Sequence, residues 1–216
     1  MSGAKPSSAP LCTTTPLKLQ DGSAATDAKV FRSILGAMQY LTLTRPDLCF
    51  AINKMSQFMH QLTQIHFQQL QRVMRYLKLT MNFGLTLKKP TSLSLYAYSD
   101  ADWGGNLDHR TSTYAFVIYV GGNPVSWLSK RQRTVARSST EAEYRSIATT
   151  TAEIMWLMNL LSELGIPIPT PTVSHISTMD QRADILTKPL SRAQFIPLRS
   201  KLVVTDGDPI LQGCNR

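Results

Sequence analysis

Apolar residues recur at helical spacing through the first third of the chain and switch to alternation near residue 93. Phe31, Ile34, Leu35, Met38 and Leu41 fall three and four residues apart, which predicts a helix over 31–41. Pro46 stands where a first-turn proline belongs, and Leu48, Ile52, Met55 and Met59 form the next stripe. A third helix is predicted over 66–79, with Phe67, Leu70, Val73, Met74 and Leu77 on its apolar side. Arg72, Arg75 and Lys78 lie off that stripe. They form a basic face that is either ordinarily solvated or turned toward a polyanion.

From Leu93 the period becomes two. Leu93, Leu95 and Ala97 alternate with Ser94, Tyr96 and Tyr98, a strand ending at Ser99-Asp100. Residues 114–120 are rich in β-branched and aromatic side chains, and Gly121-Gly122-Asn123 turns them into 125–128, so these two runs read as a hairpin. Residues 131–135 are expected to extend the sheet edge. A long amphipathic helix starts at Thr140, carries Tyr144, Ile147, Ile154, Met155, Met158 and Leu161 on one side, and stops at Gly165 and Pro167. Three strands followed by one long helix predict a mixed α/β (α+β) domain.

Residues 1–28 are rich in Ser, Thr, Ala, Pro and Gly and read as a disordered linker. With 43% hydrophobic and 17% charged residues, the remainder is globular. The net charge of +9 favours a polyanionic partner, nucleic acid being the commonest. Cys12, Cys49 and Cys214 are far apart and odd in number. That argues against a disulfide scaffold or a zinc site and fits a reducing compartment. No apolar run reaches the roughly 18 residues of a membrane span and no signal-peptide core is present, so an intracellular, cytoplasmic or nuclear location is expected.

Carboxylates stand at three distinct places. Asp100 and Asp102 close the first strand, Glu141 and Glu143 occupy the first turn of the long helix, and Asp184 lies in a short helical stretch near the C-terminus. Oxygen donors from a strand end and two helix starts are what hard Mg²⁺ takes, and two such ions about 4 Å apart activate water and stabilise a leaving oxygen. Taken singly, each has a plainer account. Asp100 and Asp102 suit a turn, Thr140 and Glu143 have the spacing of a capping box, and Asp184 suits a solvated helix position.

A family resemblance enters on specific strings. Ser33-Ile34-Leu35-Gly36-Ala37-Met38-Gln39-Tyr40-Leu41-Thr42, Thr44-Arg45-Pro46-Asp47 and Arg72-Val73-Met74-Arg75-Tyr76-Leu77-Lys78 resemble the reverse-transcriptase tail of copia-type LTR-retrotransposon Pol polyproteins. Tyr98-Ser99-Asp100-Ala101-Asp102-Trp103-Gly104-Gly105 is similar to the first motif of their RNase H domain. Ser126-Trp127, Ser129-Lys130-Arg131-Gln132, Ser138-Ser139-Thr140-Glu141-Ala142-Glu143-Tyr144-Arg145 and Asp180-Gln181-Arg182-Ala183-Asp184-Ile185-Leu186-Thr187-Lys188-Pro189-Leu190 continue it in the family's order. The resemblance covers roughly residues 29–202. It implies an RNase H fold that cleaves the RNA strand of an RNA:DNA hybrid with two Mg²⁺ (Mn²⁺ as a substitute). Asp100, Glu143 and Asp184 are the catalytic and metal-binding positions it implies, with Glu141 the weaker candidate and Asp102 secondary or structural.

The departure from the family pattern is as informative. Its Cys-Asp-Asn fourth-strand motif, the following helix and a His-rich segment are absent, and only the eighteen residues between Gly165 and Asp184 stand in their place. A parallel crossover alone needs a dozen or more residues. At best residues 173–177 supply one strand, and His175 reads as a strand or loop residue. The gap reads as an internal deletion or a mis-spliced gene.

The expected organisation is a linker over 1–28, a helical reverse-transcriptase tail over 29–90, an incomplete RNase H-like domain over 91–202 and a tail over 203–216. Weak or absent nuclease activity is expected. The alternatives are a non-catalytic nucleic-acid-binding remnant and a pseudogene product. No Tyr-x-Asp-Asp motif is present, which excludes polymerase activity for this chain alone. If 173–177 takes the lost strand's place, Asp184 is expected to approach Asp100 and Glu143; if the C-terminal piece floats free, the site is broken.

Overall fold

The computed structural model describes residues 3–207. Helix α1 (Ala28–Leu41) starts at Asp27, whose carboxylate accepts the Lys29 and Val30 amides, and it buries Phe31, Leu35 and Met38. The stripe that begins at Pro46 divides into a 3-10 turn (Pro46–Leu48) and α2 (Cys49–Ser56). Helix α3 (Gln64–Leu79) opens with a capping box in which the Thr63 amide donates to His66 Nδ1 at 3.1 Å. Leu70, Val73 and Tyr76 turn inward from it.

Strand β1 (Phe83–Leu85) falls within the region expected to be helical. It pairs antiparallel with β5 (Val204–Asp206), in what was expected to be a free tail. The main sheet is β2 (Leu95–Asp102), β3 (Thr113–Val120) and β4 (Asn123–Arg131), antiparallel in that order. Gly121 and Gly122, at φ +58° and +84°, form the two-residue β3–β4 turn whose twist suits a hairpin and demands positive φ at both positions. Only Arg131 of the expected 131–135 extension belongs to the sheet.

Residues directly opposite across the sheet share a face. Register therefore puts Asp100 and Asp102 on the face of their partners Ala115 and Thr113, and Ser99 on the face of Phe116. The Ser99 face is covered by α4 (Ser139–Glu163), where Leu95, Phe116, Ile118 and Leu157 form a small core. Gly165, at φ +75°, ends that helix. The Asp100 face packs on the larger core. There Ala115, Val117 and Tyr119 meet α1–α3, a 3-10 turn (Arg182–Leu186) and α5 (Arg192–Lys201). The result is a mixed α/β architecture with the three-stranded sheet between α4 and the helical region, consistent with an incomplete RNase H-like fold.

Two expectations are corrected here. Residues 1–28 are not a free linker throughout: Ala9, Leu11 and Leu17 are buried in the main core, Ala25 bridges to Thr63, and the Leu19 amide bonds the Asp108 carboxylate. Few apolar residues suffice, because Ala9 and Leu11 sit against a surface that Phe50, Ile185, Leu190 and Phe195 already line. Residues 173–177 form no strand. Val173 is 77% exposed and His175 is exposed beside it, so the second edge of β2 carries no partner strand among the described residues. Cys12 and Cys49 are free thiols, and Cys214 lies outside the described residues. No helix of the described residues is long and apolar enough to cross a membrane.

Candidate active site

Without the fourth strand, the C-terminal motif still docks on the sheet. The Arg182 guanidinium lies over the rings of Tyr98, Tyr119 and Tyr96 at 4.8, 5.0 and 6.0 Å. Gln181 Nε2 donates to the Ser99 carbonyl at 3.0 Å, and Ser129 Oγ donates to the Leu186 carbonyl at 2.6 Å. Ala183, Ile185 and Leu186 are buried beneath. These contacts hold the 3-10 turn from both strand edges, so Asp184 reaches Asp100 with residues 173–177 contributing nothing. Neither expected alternative, a replacement strand or a detached C-terminal piece, describes the structure.

Asp100 and Asp184 are brought together. Thr187 Oγ1 donates to Asp100 Oδ2 at 2.6 Å, and Lys188 Nζ lies 2.8 Å from Asp184 Oδ1. Burial pushes the Asp184 carboxyl above the ordinary range and the adjacent Asp100 charge adds to that, while Lys188 opposes both. For Lys188, burial works against the charge, but the bond to Asp184 and the fields of Asp100 and Asp102 outweigh it and raise its pKa. Asp102 is raised by burial too, with the Lys54 ammonium pulling the other way. Lys54 Nζ also donates to the Gly105 carbonyl at 3.5 Å. Gly105 leaves room for Asp102, since a Cβ there would meet the Asp102 carboxylate and displace it.

Glu143 stands apart. The α4 N-cap is Ser138, which accepts the Glu141 amide at 3.1 Å, and Glu141 answers by accepting the Arg137 amide at 2.6 Å and pairing with Arg145. The Thr140–Glu143 capping box is thus not formed, and Glu141 is committed to the helix start. Glu143 is exposed and its side chain makes no hydrogen bond or ion pair among the described residues. Its helix covers the face of β2 opposite to the Asp100 side chain, held there by Ser146 Oγ on the Asp100 carbonyl at 2.9 Å and by Thr150 on Ser99.

Among the described residues no three His, Cys, Asp or Glu side chains converge closely enough to hold a metal ion. The arrangement offers a carboxylate pair where a two-Mg²⁺ site needs more donors, so the residues present do not fit that group. Sequence reasoning missed the partners that complete the pair, Thr187, Lys188 and Lys54. The first two stand in the Thr187-Lys188-Pro189-Leu190 string itself, and Asp184 and Lys188 have the i,i+4 spacing of a helical ion pair.

Sheet, long helix and closing aspartate together define a mixed α/β protein with an incomplete RNase H-like core. The Pol polyprotein of transposon RE1 from Arabidopsis thaliana is 42% identical over 248 residues, covering 95% of this chain and 17% of that protein. That of transposon RE2, also from Arabidopsis thaliana, is 41% identical over 255 residues, covering 99% and 18%. Secreted RxLR effector protein 161 of Plasmopara viticola is 44% identical over 128 residues, covering 59% of this chain and 90% of the effector. The chain belongs to the retrovirus-related Pol polyprotein family of copia-type transposons, and it spans under a fifth of the length of those Pol relatives. No family model and no solved structure matches it.

Proposed function

We propose that this chain is an RNase H-type fragment of a retrotransposon Pol polyprotein whose family activity, Mg²⁺-dependent cleavage of RNA in RNA:DNA hybrids, is weak or absent. One observation carries the reading. Asp100 and Asp184 meet on the sheet, but among the described residues no third carboxylate converges with them closely enough to hold a metal ion. The length of the match supports it. The aligned span with RE1 is 248 residues and takes in 95% of this 216-residue chain, so it holds roughly forty positions that this chain does not fill. A missing fourth-strand segment with its aspartate accounts for such a difference.

The test is incubation of the purified chain with labelled RNA:DNA hybrid in Mg²⁺ or Mn²⁺, beside Asp100→Asn. The expected result is no cleavage above that of the variant. Parent cleavage that disappears in Asp100→Asn overturns the inactivity.

A second reading, a non-catalytic nucleic-acid-binding remnant, has its own support. Lys130, Arg131 and Arg133 are exposed at the end of β4 and form no ion pair among the described residues. Trp103 and Tyr144 are 53% and 68% exposed on the segments that follow β2 and open α4. Cations for phosphates beside rings for bases suit a nucleic-acid strand. Replacing all three cations with alanine should lower the salt dependence of hybrid binding by about 0.9 in log–log slope for each phosphate no longer neutralised. An unchanged slope removes this reading.

A further inference from the structure

Strand β2 leaves one side of the sheet unpaired, and its register tells which backbone groups are left over. The Gly121 amide donates to the Ser94 carbonyl at 2.9 Å, so the even-numbered residues of β2 bond β3. Leu95, Ala97, Ser99 and Ala101 turn their N–H and C=O groups the other way, where no strand follows among the described residues. Gln181 Nε2 donates to the Ser99 carbonyl there, and that carbonyl has a second lone pair to offer. An edge of this kind is a template for another backbone.

Helix α4 holds a matching surface above that edge. The sheet buries its Ala142, Ser146, Thr150 and Leu157 side, not the apolar stripe that runs from Tyr144 to Leu161. On that stripe Tyr144 and Met155 are 68% and 61% exposed, and Ile147, Ile154 and Met158 are half-buried. Contacts fix where it points. Glu153 accepts from Ser126 Oγ of β4 at 3.0 Å, and Ser146 and Thr150 stand over Ser99 of β2. Turning on in the same sense, at about 100° per residue, brings Ile154, Ile147, Met158 and Thr151. These therefore overhang the open edge. From Tyr144 to Ser162 this flank holds no charged side chain, on a chain of net charge +9.

A polyanion finds no cation on such a flank, and a lone strand would satisfy the edge but leave the helix wet. A second copy supplies both. Antiparallel pairing of β2 with its own copy about a twofold axis keeps the two α4 helices on one face of a continuous sheet. Helix α4 rests mainly on β2 and less on β3, which sets it inside the edge strand. With paired strands roughly 4.8 Å apart, the two helices come to lie roughly 9–10 Å apart, the ordinary distance of packed helices. Thr150 is level with Ser99 and Leu157 with Leu95, so an axis near Ala97 sets Thr151 and Ile154 against their own copies. Edge and flank together bury on the order of 600 Å² per copy, enough for a specific but weak interface.

We propose that the open β2 edge and the uncharged flank of α4 form a self-association surface, through which two copies of this chain pair antiparallel into one continuous sheet.

The experiment is sedimentation of the whole chain between about 5 and 500 µM, the range in which an interface of this size begins to hold. The mass is expected to rise from 24.1 kDa toward twice that value. Amide exchange, read at both ends of the range, should show protection growing at Leu95 and Ala97. Tyr96 and Tyr98, already bonded to β3, should not change. Thr151 is exposed and makes no hydrogen bond among the described residues, so Thr151→Glu leaves the fold alone and sets two like charges face to face. It should stay at the monomer mass throughout, while Thr151→Ser behaves as the parent.

A parent that keeps the monomer mass at every concentration overturns the proposal. So does a rise in mass that leaves Leu95 and Ala97 unprotected, or one that Thr151→Glu shares. Protection of those two amides by added RNA:DNA hybrid, with the chain still monomeric, would give the edge to nucleic acid instead and overturn it equally.

Discussion

Two buried aspartates sit on short 3-10 turns in this molecule, each beside a cation close in sequence, and they are handled in opposite ways. Asp47 is saturated. Arg45 donates from Nε to Oδ1 at 2.9 Å and from Nη2 to Oδ2 at 2.8 Å, and the Tyr76 hydroxyl donates to Oδ2 as well. The rest of the guanidinium is spent on the Thr80 carbonyl and hydroxyl, both at 2.9 Å. Asp184 has one lysine, half open to solvent, and another carboxylate pressed against it. Burial is the same in kind at both places, and satisfaction differs. The first cluster is a bolt between α3 and the turn after α1. The second is an acidic pair with fewer donors to share between its carboxylates.

The bolt gives the sharpest way to break this contrast. Arg45→Met leaves the Asp47 carboxylate buried with only the Tyr76 hydroxyl. It should cost about 3–5 kcal/mol in chemical denaturation, as breaking one side of a buried pair does. Burial opposes the Arg45 charge, yet Asp47 holds its pKa up, which is the sign of a pair whose partner cannot be removed cheaply. A loss below about 1 kcal/mol, the range of exposed pairs, would make the two aspartates alike and remove the distinction.

The acidic site should answer more softly. Thr187 is fully buried, and its hydroxyl is the neutral donor on Asp100. Thr187→Val keeps the shape and deletes that donor. The expected loss is about 1.5–3 kcal/mol, the worth of a hydrogen bond to a charged group. If Thr187→Val instead stabilises the fold in chelator, the Asp100 carboxyl does not depend on that hydroxyl for its charge, and the pair is better supplied than the geometry implies.

The legible and illegible parts of the molecule divide along the same line. Periodicity found α1, α3, the three strands and α4 within a few residues, because each buries one continuous face whose period is written locally. Asp100 and Asp184 were also legible, through motifs that sit on such elements. What escaped was everything decided by packing between segments distant in the chain. Ala9 and Leu11 are too sparse to show a period, yet they are buried beside residues far along the sequence. The pairing of β1 with β5 joins Phe83 to Asp206, and three-residue strands leave no pattern. The docking of the 182–186 turn depends on Arg182 finding three tyrosines from two strands, which only the assembled sheet reveals. The start of α4 was read one residue late: the helix begins at Ser139, with Ser138 as its cap.

Between the bolt and the acidic site lies an intermediate case, and it yields a pH test. His66 is fully buried and stacked on Phe58 at 4.3 Å, with Nδ1 bonded to the Thr63 amide and no well-formed hydrogen bond at Nε2 among the described residues. Burial holds its pKa below the usual histidine value, while Asp21, the Lys18 carbonyl and Asp108 pull the other way. The folded chain therefore binds its proton less readily than the unfolded chain does. The stability this contributes is whole above the unfolded value near 6.5 and is lost as pH falls from there through the folded value. Thermal midpoints measured from pH 7.5 down to pH 5 should decline over that interval. His66→Gln preserves the capping acceptor and removes the titration, so it should start lower for want of the stacked ring and decline less. If both proteins decline equally, the pH dependence belongs elsewhere. A half-satisfied buried group would then cost no more than a satisfied one, and the contrast between Asp47 and Asp184 would have to rest on charge alone.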